Sequence, residues 1–205
     1  VPRALAGTAV PFTYGDLNML EALLGEYEGQ VAAIMMEPVR SEWPDKGYLE
    51  QVKSLAHKNS ALLIFDEVSC GWRLRIGGVQ EAAGVIPDMT VVAKAMSNGY
   101  PMGAVVGSRE AMEPTGRMFV SSSYWSDNVG LIAALTTIRE LKRRNAEQNF
   151  ARIGAALEEA INQAIDSSGL AGQVTGLYTN PGITLELPDP ALQPIVSTLF
   201  IQEMA

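Results

Sequence analysis

Two apolar runs that each lead to a charged residue constrain the fold of this chain more than any other feature. Residues 61–65 are all apolar and are followed by Asp66, and residues 89–93, apolar apart from Thr90, are followed by Lys94. Runs of this length and composition are typical of strands buried in a parallel sheet. Because parallel strands end at the same edge of a sheet, we expect Asp66 and Lys94 to lie close together at that edge.

Further segments complete an α/β pattern around these two strands. Residues 31–36 predict another buried strand, and residues 102–107 predict a fourth. The gap before the fourth strand is too short for a helical crossover, so this strand runs antiparallel to the third or lies elsewhere in the sheet. Helices are predicted at 17–24, with Asp16 as the N-cap, and at 47–58, 128–144 and 146–167. We therefore predict an α/β fold, a mostly parallel sheet with helices on both faces.

The C-terminal part of the chain predicts a second domain. A half-exposed strand at 182–187 and a closing helix follow the last long helix. We expect residues 1–143 to be part of a large domain and residues 144–205 to be the start of a small, truncated α+β domain. The chain opens on Val1, and its closing helix pattern runs to the last residue, so we expect an internal fragment of a longer protein.

Composition narrows the classes of function. Apolar residues make up 47% of the chain and charged residues 19%, a balance typical of a globular protein with a core. The net charge of −8 argues against nucleic-acid binding, which needs clustered Lys and Arg. No apolar run reaches the length of a membrane span. The single cysteine, Cys70, allows no internal disulfide and favours a reducing, cytoplasmic location.

Asp66 and Lys94 each allow several interpretations when taken alone. A carboxylate after a buried strand can cap the next loop, bind a metal or pair with a protonated ring nitrogen. A lysine in this position is either a solvated charge at the edge of the sheet or a nucleophile. Together they are the two groups that an enzyme dependent on pyridoxal 5'-phosphate (PLP) needs. The lysine forms a Schiff base with the PLP aldehyde, and the carboxylate keeps the pyridine nitrogen protonated. A nucleotide-binding domain is disfavoured, because no glycine-rich phosphate loop follows a strand.

A series of short motifs resembles the class III aminotransferases of PLP fold type I. The motifs occur in the order Glu37-Pro38-Val39, Asp66-Glu67-Val68 with Gly71, Gly84-Val85-Ile86-Pro87-Asp88, Ala93-Lys94-Ala95 and Gly99-Tyr100-Pro101-Met102-Gly103-Ala104. Within that family, Gly71-Trp72-Arg73 followed by Gly77-Gly78-Val79-Gln80 is most similar to the glutamate-1-semialdehyde 2,1-aminomutase branch. The resemblance implies that Lys94 forms the Schiff base with PLP and carries the proton in catalysis, that Asp66 pairs with the pyridine nitrogen, and that no metal takes part.

The resemblance also implies further cofactor contacts. Val68 would pack against one face of the PLP ring, although it could equally be a core residue. Family members carry a Gly-Thr pair that reaches the PLP phosphate of the neighbouring subunit, and here Ser122 and Ser123 take those places. A serine hydroxyl can still donate to phosphate. This implies a homodimer with shared active sites; the alternative is a serine-rich loop ending in a helix N-cap at Ser126 or Asp127.

Several polar residues near these motifs have less certain roles. Glu37 and Glu42 either position a cationic group near the substrate or are ordinary loop acids, and Arg40 between them could be their partner. His57 is expected to be a solvated residue at a helix end rather than a catalyst. Cys70 has no activating base in the sequence around it, so we expect a small buried residue.

The resemblance implies an aminotransferase that moves an amino group between a small-molecule amino donor and a carbonyl acceptor. One alternative is an aminomutase, which returns the amino group to a neighbouring carbon of the same molecule. Another is a relative without catalytic activity that is kept as a structural dimer. In the family, the loop that holds the PLP phosphate within the same subunit lies upstream of Val1, so we expect the fragment alone to bind PLP poorly.

Overall fold

A computed structural model describes residues 2–125 and 127–204. The structure divides into two compact units between Glu147 and Gln148. The boundary predicted after residue 143 coincides with the end of a long helix, which is the last helix lying wholly within the first unit. No helix in the two described ranges is long and apolar enough to cross a membrane.

The first unit alternates strands and helices, as the apolar runs predict. Its strands are β1 (Ala33–Met36), β2 (Leu62–Asp66), β3 (Met89–Val92) and β4 (Ala104–Gly107). Its α-helices are α1 (Leu17–Glu26), α2 (Tyr48–Lys58), α3 (Val79–Ala83), α4 (Arg109–Met112) and α5 (Asn128–Arg143). Short 3-10 helices occupy Arg3–Leu5, Lys94–Ser97 and Glu113–Arg117.

The four strands form one sheet in the order β1-β2-β3-β4. β1, β2 and β3 are parallel, and β4 runs antiparallel to β3, with Val92 opposite Ala104. The antiparallel alternative for the fourth strand is therefore confirmed, because the chain returns directly through the short segment after Ser97. The predicted α/β fold with a mostly parallel sheet is confirmed as well.

The core of the first unit lies between one face of the sheet and the first two helices. Ile34, Met36, Leu63 and Phe65 alternate along β1 and β2 and pack against α1 and α2. Phe65 is completely buried, and burial of such a side chain stabilises the fold by about 1.5–3 kcal/mol. The predicted cap of α1 is confirmed, since the Asp16 carboxylate accepts a hydrogen bond from the Met19 amide at 2.9 Å.

Asp88 joins three elements at the amino-terminal edge of the sheet. Its carboxylate accepts a hydrogen bond from the Leu63 amide at 2.7 Å and faces the His57 Nε2 atom at 2.9 Å. Its own carbonyl accepts from the Ser108 amide at 2.9 Å. His57 is exposed, as expected, and its ring also pairs with Asp88. Since Asp88 precedes β3 and Lys94 follows it, His57 lies at the opposite edge of the sheet from Lys94.

The second unit combines helices with a small hairpin. α6 (Ala146–Ser168) leads into it, and β5 (Gly172–Leu177) pairs antiparallel with β6 (Asn180–Leu185). A 3-10 helix at Pro190–Leu192 and α7 (Gln193–Met204) follow. The Asn162 side chain of α6 accepts a hydrogen bond from the Val174 amide at 3.0 Å, which fixes the hairpin to the helix. The predicted strand at 182–187 is observed two residues earlier, and β5 was not predicted.

Candidate active site

Asp66 and Lys94 lie at the same edge of the sheet, at the ends of neighbouring parallel strands. Asp66 is the last residue of β2 and is in register with Val91 of β3. Lys94 follows β3 after one intervening residue and opens a 3-10 turn. The buried partners of both strands fix this register, because a slip by one residue would turn the core side chains of β2 to the other face.

The backbone of Lys94 has an unusual conformation. Its φ angle is +46°, in the left-handed region that costs a residue with a side chain about 1–2 kcal/mol. The turn that follows is held by its own bonds, since the Ser97 hydroxyl donates to the Tyr100 carbonyl at 2.6 Å. Asn98 and Gly99 also have positive φ angles, as expected for the tight turn after Lys94. The backbone of Lys94 is therefore strained and is held in place by the turn that follows it.

The ε-amine of Lys94 donates a hydrogen bond to the hydroxyl of Ser69 at 2.9 Å. Ser69 lies in the loop that follows Asp66, so this contact links the two strand ends across the edge of the sheet. Sequence reasoning missed Ser69. Only its position three residues after Asp66 pointed to the site. A single serine in a loop shows no periodicity from which its contacts could be predicted.

The Asp66 carboxylate is oriented by the backbone of its own loop. Its Oδ1 atom accepts a hydrogen bond from the Val68 amide at 3.0 Å. Val68 itself lies outside β2, in the first turn after the strand, and is half-buried. The alternation of side chains along a strand therefore does not set the direction of Val68, contrary to the argument from the sequence. Its contact with a cofactor ring stays a prediction.

Glu67 anchors the loop between β2 and α3 from inside the protein. Its side chain is completely buried and accepts hydrogen bonds from the amides of Val79 at 2.6 Å and Gln80 at 3.1 Å. Burial raises the pKa of Glu67, and these two N–H groups oppose the shift only in part. Gly71 and Gly78 lie so close that a Cβ atom at either would be 2.7 Å from an oxygen of Glu67. These contacts explain two of the glycines in the motif after Asp66.

The thiol of Cys70 is buried in the loop that follows β2. Burial raises the pKa of Cys70 to about 12, helped by the nearby charges of Glu67, Glu37 and Asp66. The thiol is therefore protonated at neutral pH, which agrees with the expected small buried residue. Glu37 also pairs with Arg40 at 3.6 Å, so one of the two proposed partners of Arg40 is observed.

Ser122 and Ser123 lie on an exposed loop before α5. The hydrogen bonds of the described residues do not join either serine to Lys94 or Asp66. Of the two predicted N-caps, Asp127 is confirmed, because its carboxylate accepts from the Val129 amide at 2.8 Å. Ser126 lies outside the described residues. Within the described ranges, no group of three or more His, Cys, Asp or Glu side chains is placed to hold a metal ion.

Comparison with known proteins identifies the family. The model of the family "Aminotransferase class-III" matches residues 14–193. A curated 3-aminobutyryl-CoA aminotransferase from Cloacimonas acidaminovorans is 32% identical over all of this chain and 51% of its own length. A glutamate-1-semialdehyde 2,1-aminomutase from Citrifermentans bemidjiense is 34% identical over 82% of this chain and 41% of its own length. The chain thus spans about half the length of the curated relatives it matches.

Solved structures agree with this assignment. The FumI protein of a Sphingopyxis species, solved in its PLP internal aldimine form, superposes with a TM-score of 0.81 at 26% identity, over 86% of this chain and 44% of that one. An omega-transaminase from Sphaerobacter thermophilus gives a TM-score of 0.79 at 29% identity, over 92% and 45% of the two chains. The resemblance read from the motifs is confirmed, and the fold is the PLP fold type I: the chain belongs to the class III aminotransferase family.

Proposed function

We propose that this chain is the lysine-bearing part of a PLP-dependent aminotransferase. The observation that carries the proposal is the position of Lys94 and Asp66 at the ends of neighbouring parallel strands, with the lysine amine hydrogen-bonded to the loop that follows Asp66. The amine of Lys94 and the carboxylate of Asp66 therefore lie at the same edge of the sheet. The family match and the PLP-bound relatives support the same interpretation.

The chemistry of these groups fits PLP. The Lys94 amine pairs with a neutral hydroxyl, and the ion pairs of the described residues do not include Lys94. Among the residues that the structure describes, no ion pair with a carboxylate therefore holds this amine, and it can condense with an aldehyde. One oxygen of Asp66 accepts a hydrogen bond from the Val68 amide, which limits the rotation of the carboxylate. A carboxylate held in this way can accept a charge-assisted hydrogen bond from a protonated ring nitrogen. Bound PLP supplies an electron sink for the bonds at the substrate's α-carbon.

Each residue then has a defined role. Lys94 would hold PLP covalently in the resting enzyme. Once the substrate's amine has displaced the lysine from PLP, its free Nζ atom would remove the proton from the substrate's α-carbon and act as the acid that returns it. Asp66 would keep a proton on the pyridine nitrogen. Val68 would pack against the ring. Ser122 and Ser123 would donate to the phosphate of PLP bound by a partner subunit.

An aminomutase is the second candidate, because curated relatives of this chain carry that name at 34% identity. It would use the same Lys94 and Asp66 and would differ in returning the amino group to a neighbouring carbon of the same molecule. A relative without catalytic activity is the third candidate. The presence of both Asp66 and Lys94 argues against it, since loss of activity would leave no reason to retain both side chains.

We also propose a cytoplasmic homodimer with shared active sites. The loop that carries Ser122 and Ser123 is flanked by exposed aromatic side chains, with Phe119 96% and Trp125 65% exposed. Apolar surface of this kind is usually covered by another part of the protein or by a partner. The lone cysteine, Cys70, is buried and free, as suits a reducing compartment.

The experiment follows the amino group. The full-length protein is supplied with PLP, an amine labelled with heavy nitrogen and a carbonyl acceptor, and the label is located by mass spectrometry. Label on the acceptor shows transfer between molecules, and label on a neighbouring carbon of the donor, formed without an acceptor, shows an aminomutase. Both products should disappear in Lys94→Ala. If neither product forms with any of a broad panel of amines, both enzymatic candidates are contradicted.

A further inference from the structure

Ser69 is the one hydrogen-bond partner that the structure gives to the Lys94 amine in the described part of the chain, at 2.9 Å between Nζ and Oγ. The two residues come from neighbouring strands, since Ser69 follows β2 and Lys94 follows β3. The side chains of both are exposed at the edge of the sheet, where a small molecule can reach them. The contact is therefore made within the candidate site.

The loop holds Ser69 in a fixed place. The Gly71 amide donates to the Glu67 carbonyl at 2.9 Å, and the Arg73 guanidinium donates to the carbonyl of Ser69 itself. Beneath the loop, the buried Glu67 carboxylate binds the amides of Val79 and Gln80. A hydroxyl on such a loop is preorganised, so it can orient a flexible lysine without losing much conformational entropy of its own.

The chemistry of a hydroxyl suits this task. A lysine ammonium can only donate hydrogen bonds, whereas the neutral amine that attacks an aldehyde also offers a lone pair. A serine hydroxyl accepts a hydrogen bond from the ammonium and can donate one to the neutral amine. It can therefore stay hydrogen-bonded to Lys94 in both protonation states. A carboxylate in the same place would hold the lysine as a cation, which cannot attack.

We propose that Ser69 is a positioning residue for Lys94: its hydroxyl holds the ε-amine where it meets the PLP aldehyde. This inference rests on the function proposed above. Its consequence is kinetic, because the orientation of the amine affects the step that forms the covalent bond and leaves the preceding binding of PLP unchanged. In that step the lysine nitrogen bonds to the aldehyde carbon and water leaves.

The test measures covalent attachment rather than turnover. The full-length protein, freed of cofactor, is mixed with increasing PLP and quenched with borohydride at set times. Hydride from borohydride and a proton from water make the link permanent, and the label on Lys94 is counted by mass spectrometry. The dependence on PLP concentration separates the first-order rate of attachment from the half-saturating concentration.

Ser69→Ala is expected to slow the first-order attachment rate about fivefold, the effect of losing one ordinary hydrogen bond, with the half-saturating PLP concentration unchanged. Threonine and valine side chains have nearly the same shape, but only threonine has a hydroxyl. The first-order attachment rate of Ser69→Thr should therefore be about fivefold higher than that of Ser69→Val. Ser54→Ala, on the exposed face of α2, is the matched control and should behave as the wild type.

Equal attachment rates in the Thr and Val variants would overturn the role of Ser69 while leaving PLP chemistry at Lys94 intact. A wild-type protein that is labelled at another lysine would overturn both this role and the proposed function. The two failures are thus distinguishable. A change in the half-saturating concentration alone would show a general disturbance of the site and would also overturn the positioning role.

Discussion

The carboxylate of Glu67 accepts a hydrogen bond from the Val79 amide at 2.6 Å inside the protein, where Glu67 is completely buried. This bond ties the end of β2 to the start of α3 and so closes the loop that carries Ser69. The loop next to the candidate site is therefore held from beneath by an acid that takes no part in the proposed chemistry.

Replacement of Glu67 by Gln should weaken the fold. A glutamine keeps one acceptor oxygen but turns an NH2 group toward a backbone N–H, so one buried amide loses its partner. We expect the free energy of unfolding to fall by about 1–3 kcal/mol, measured by urea denaturation at mildly acidic pH. Glu81→Gln, on the exposed side of α3, is a control that should change stability little.

The buried carboxyl of Glu67 also predicts that the stability of the fold depends on pH. Burial raises the pKa of Glu67 above its usual 4.5, so above that pH the folded chain retains the proton that the unfolded chain has lost. The contribution of Glu67 to stability is therefore fully present below pH 4.5 and falls as the pH rises through the folded pKa. The stability difference between wild type and Glu67→Gln should shrink over this range. A difference that grows with pH would contradict the assignment.

Gly71 provides a steric test of the loop. A Cβ atom at this position would lie 2.7 Å from the Glu67 carbonyl oxygen, so Gly71→Ala should destabilise the protein by about 1–3 kcal/mol. Gly25 in α1 is the matched control, because a Cβ atom there would meet nothing within 4 Å. Gly25→Ala should stabilise the helix by about 0.5–1 kcal/mol. Thermal unfolding of the two variants gives the comparison, and similar effects in both would contradict the close contact.

Asp88 should contribute to stability at neutral pH and lose that contribution in acid. Burial tends to raise its pKa, but the Leu63 amide and the His57 ring outweigh burial and hold the pKa below its usual 3.8. Its contribution is thus present above pH 3.8 and is lost as the pH falls through the folded pKa. Asp88→Ala should cost about 1–3 kcal/mol near neutral pH. Denaturation of both proteins in acid should show the difference disappearing; a difference that persists would be contrary evidence.

Asp66→Asn should separate cofactor attachment from catalysis. The amide keeps the size of the carboxylate but cannot hold a proton on the pyridine nitrogen by charge. Turnover should fall on the order of a hundredfold, the usual effect of removing one electrostatic contact to a transition state. The borohydride label on Lys94 should still form. Asp45→Asn, at an exposed position, is the control, and unchanged turnover in Asp66→Asn would exclude the proposed role.

The long elements of the fold were predictable because burial leaves a strong pattern in the sequence. The runs that became β1, β2 and β3 are apolar almost throughout, and α5 and α6 are long enough to show helical periodicity. α3 and β5 were missed. α3 has only five residues, and its start is fixed by a hydrogen bond to Glu67, twelve residues earlier in the chain. β5 forms by pairing with β6, which is a tertiary effect.

The site was predictable in part for the same reason. The ends of two buried strands indicated where Asp66 and Lys94 would meet, because parallel strands share an edge. The Ser69 contact depends on the positive φ angle of Lys94 and on the path of a loop, neither of which leaves a periodic signal. The burial of Glu67 was equally hidden, since acidic residues at the ends of strands are usually solvated.

The most direct test of the account is to find which lysine carries the cofactor. The full-length protein is incubated with PLP, reduced with borohydride, digested and mapped by mass spectrometry. We predict that the pyridoxyl label lies on Lys94, that it is absent from Lys94→Ala and that it is unaffected in Lys53→Ala. A label on any other lysine, or equal labelling of Lys94→Ala, would contradict the account.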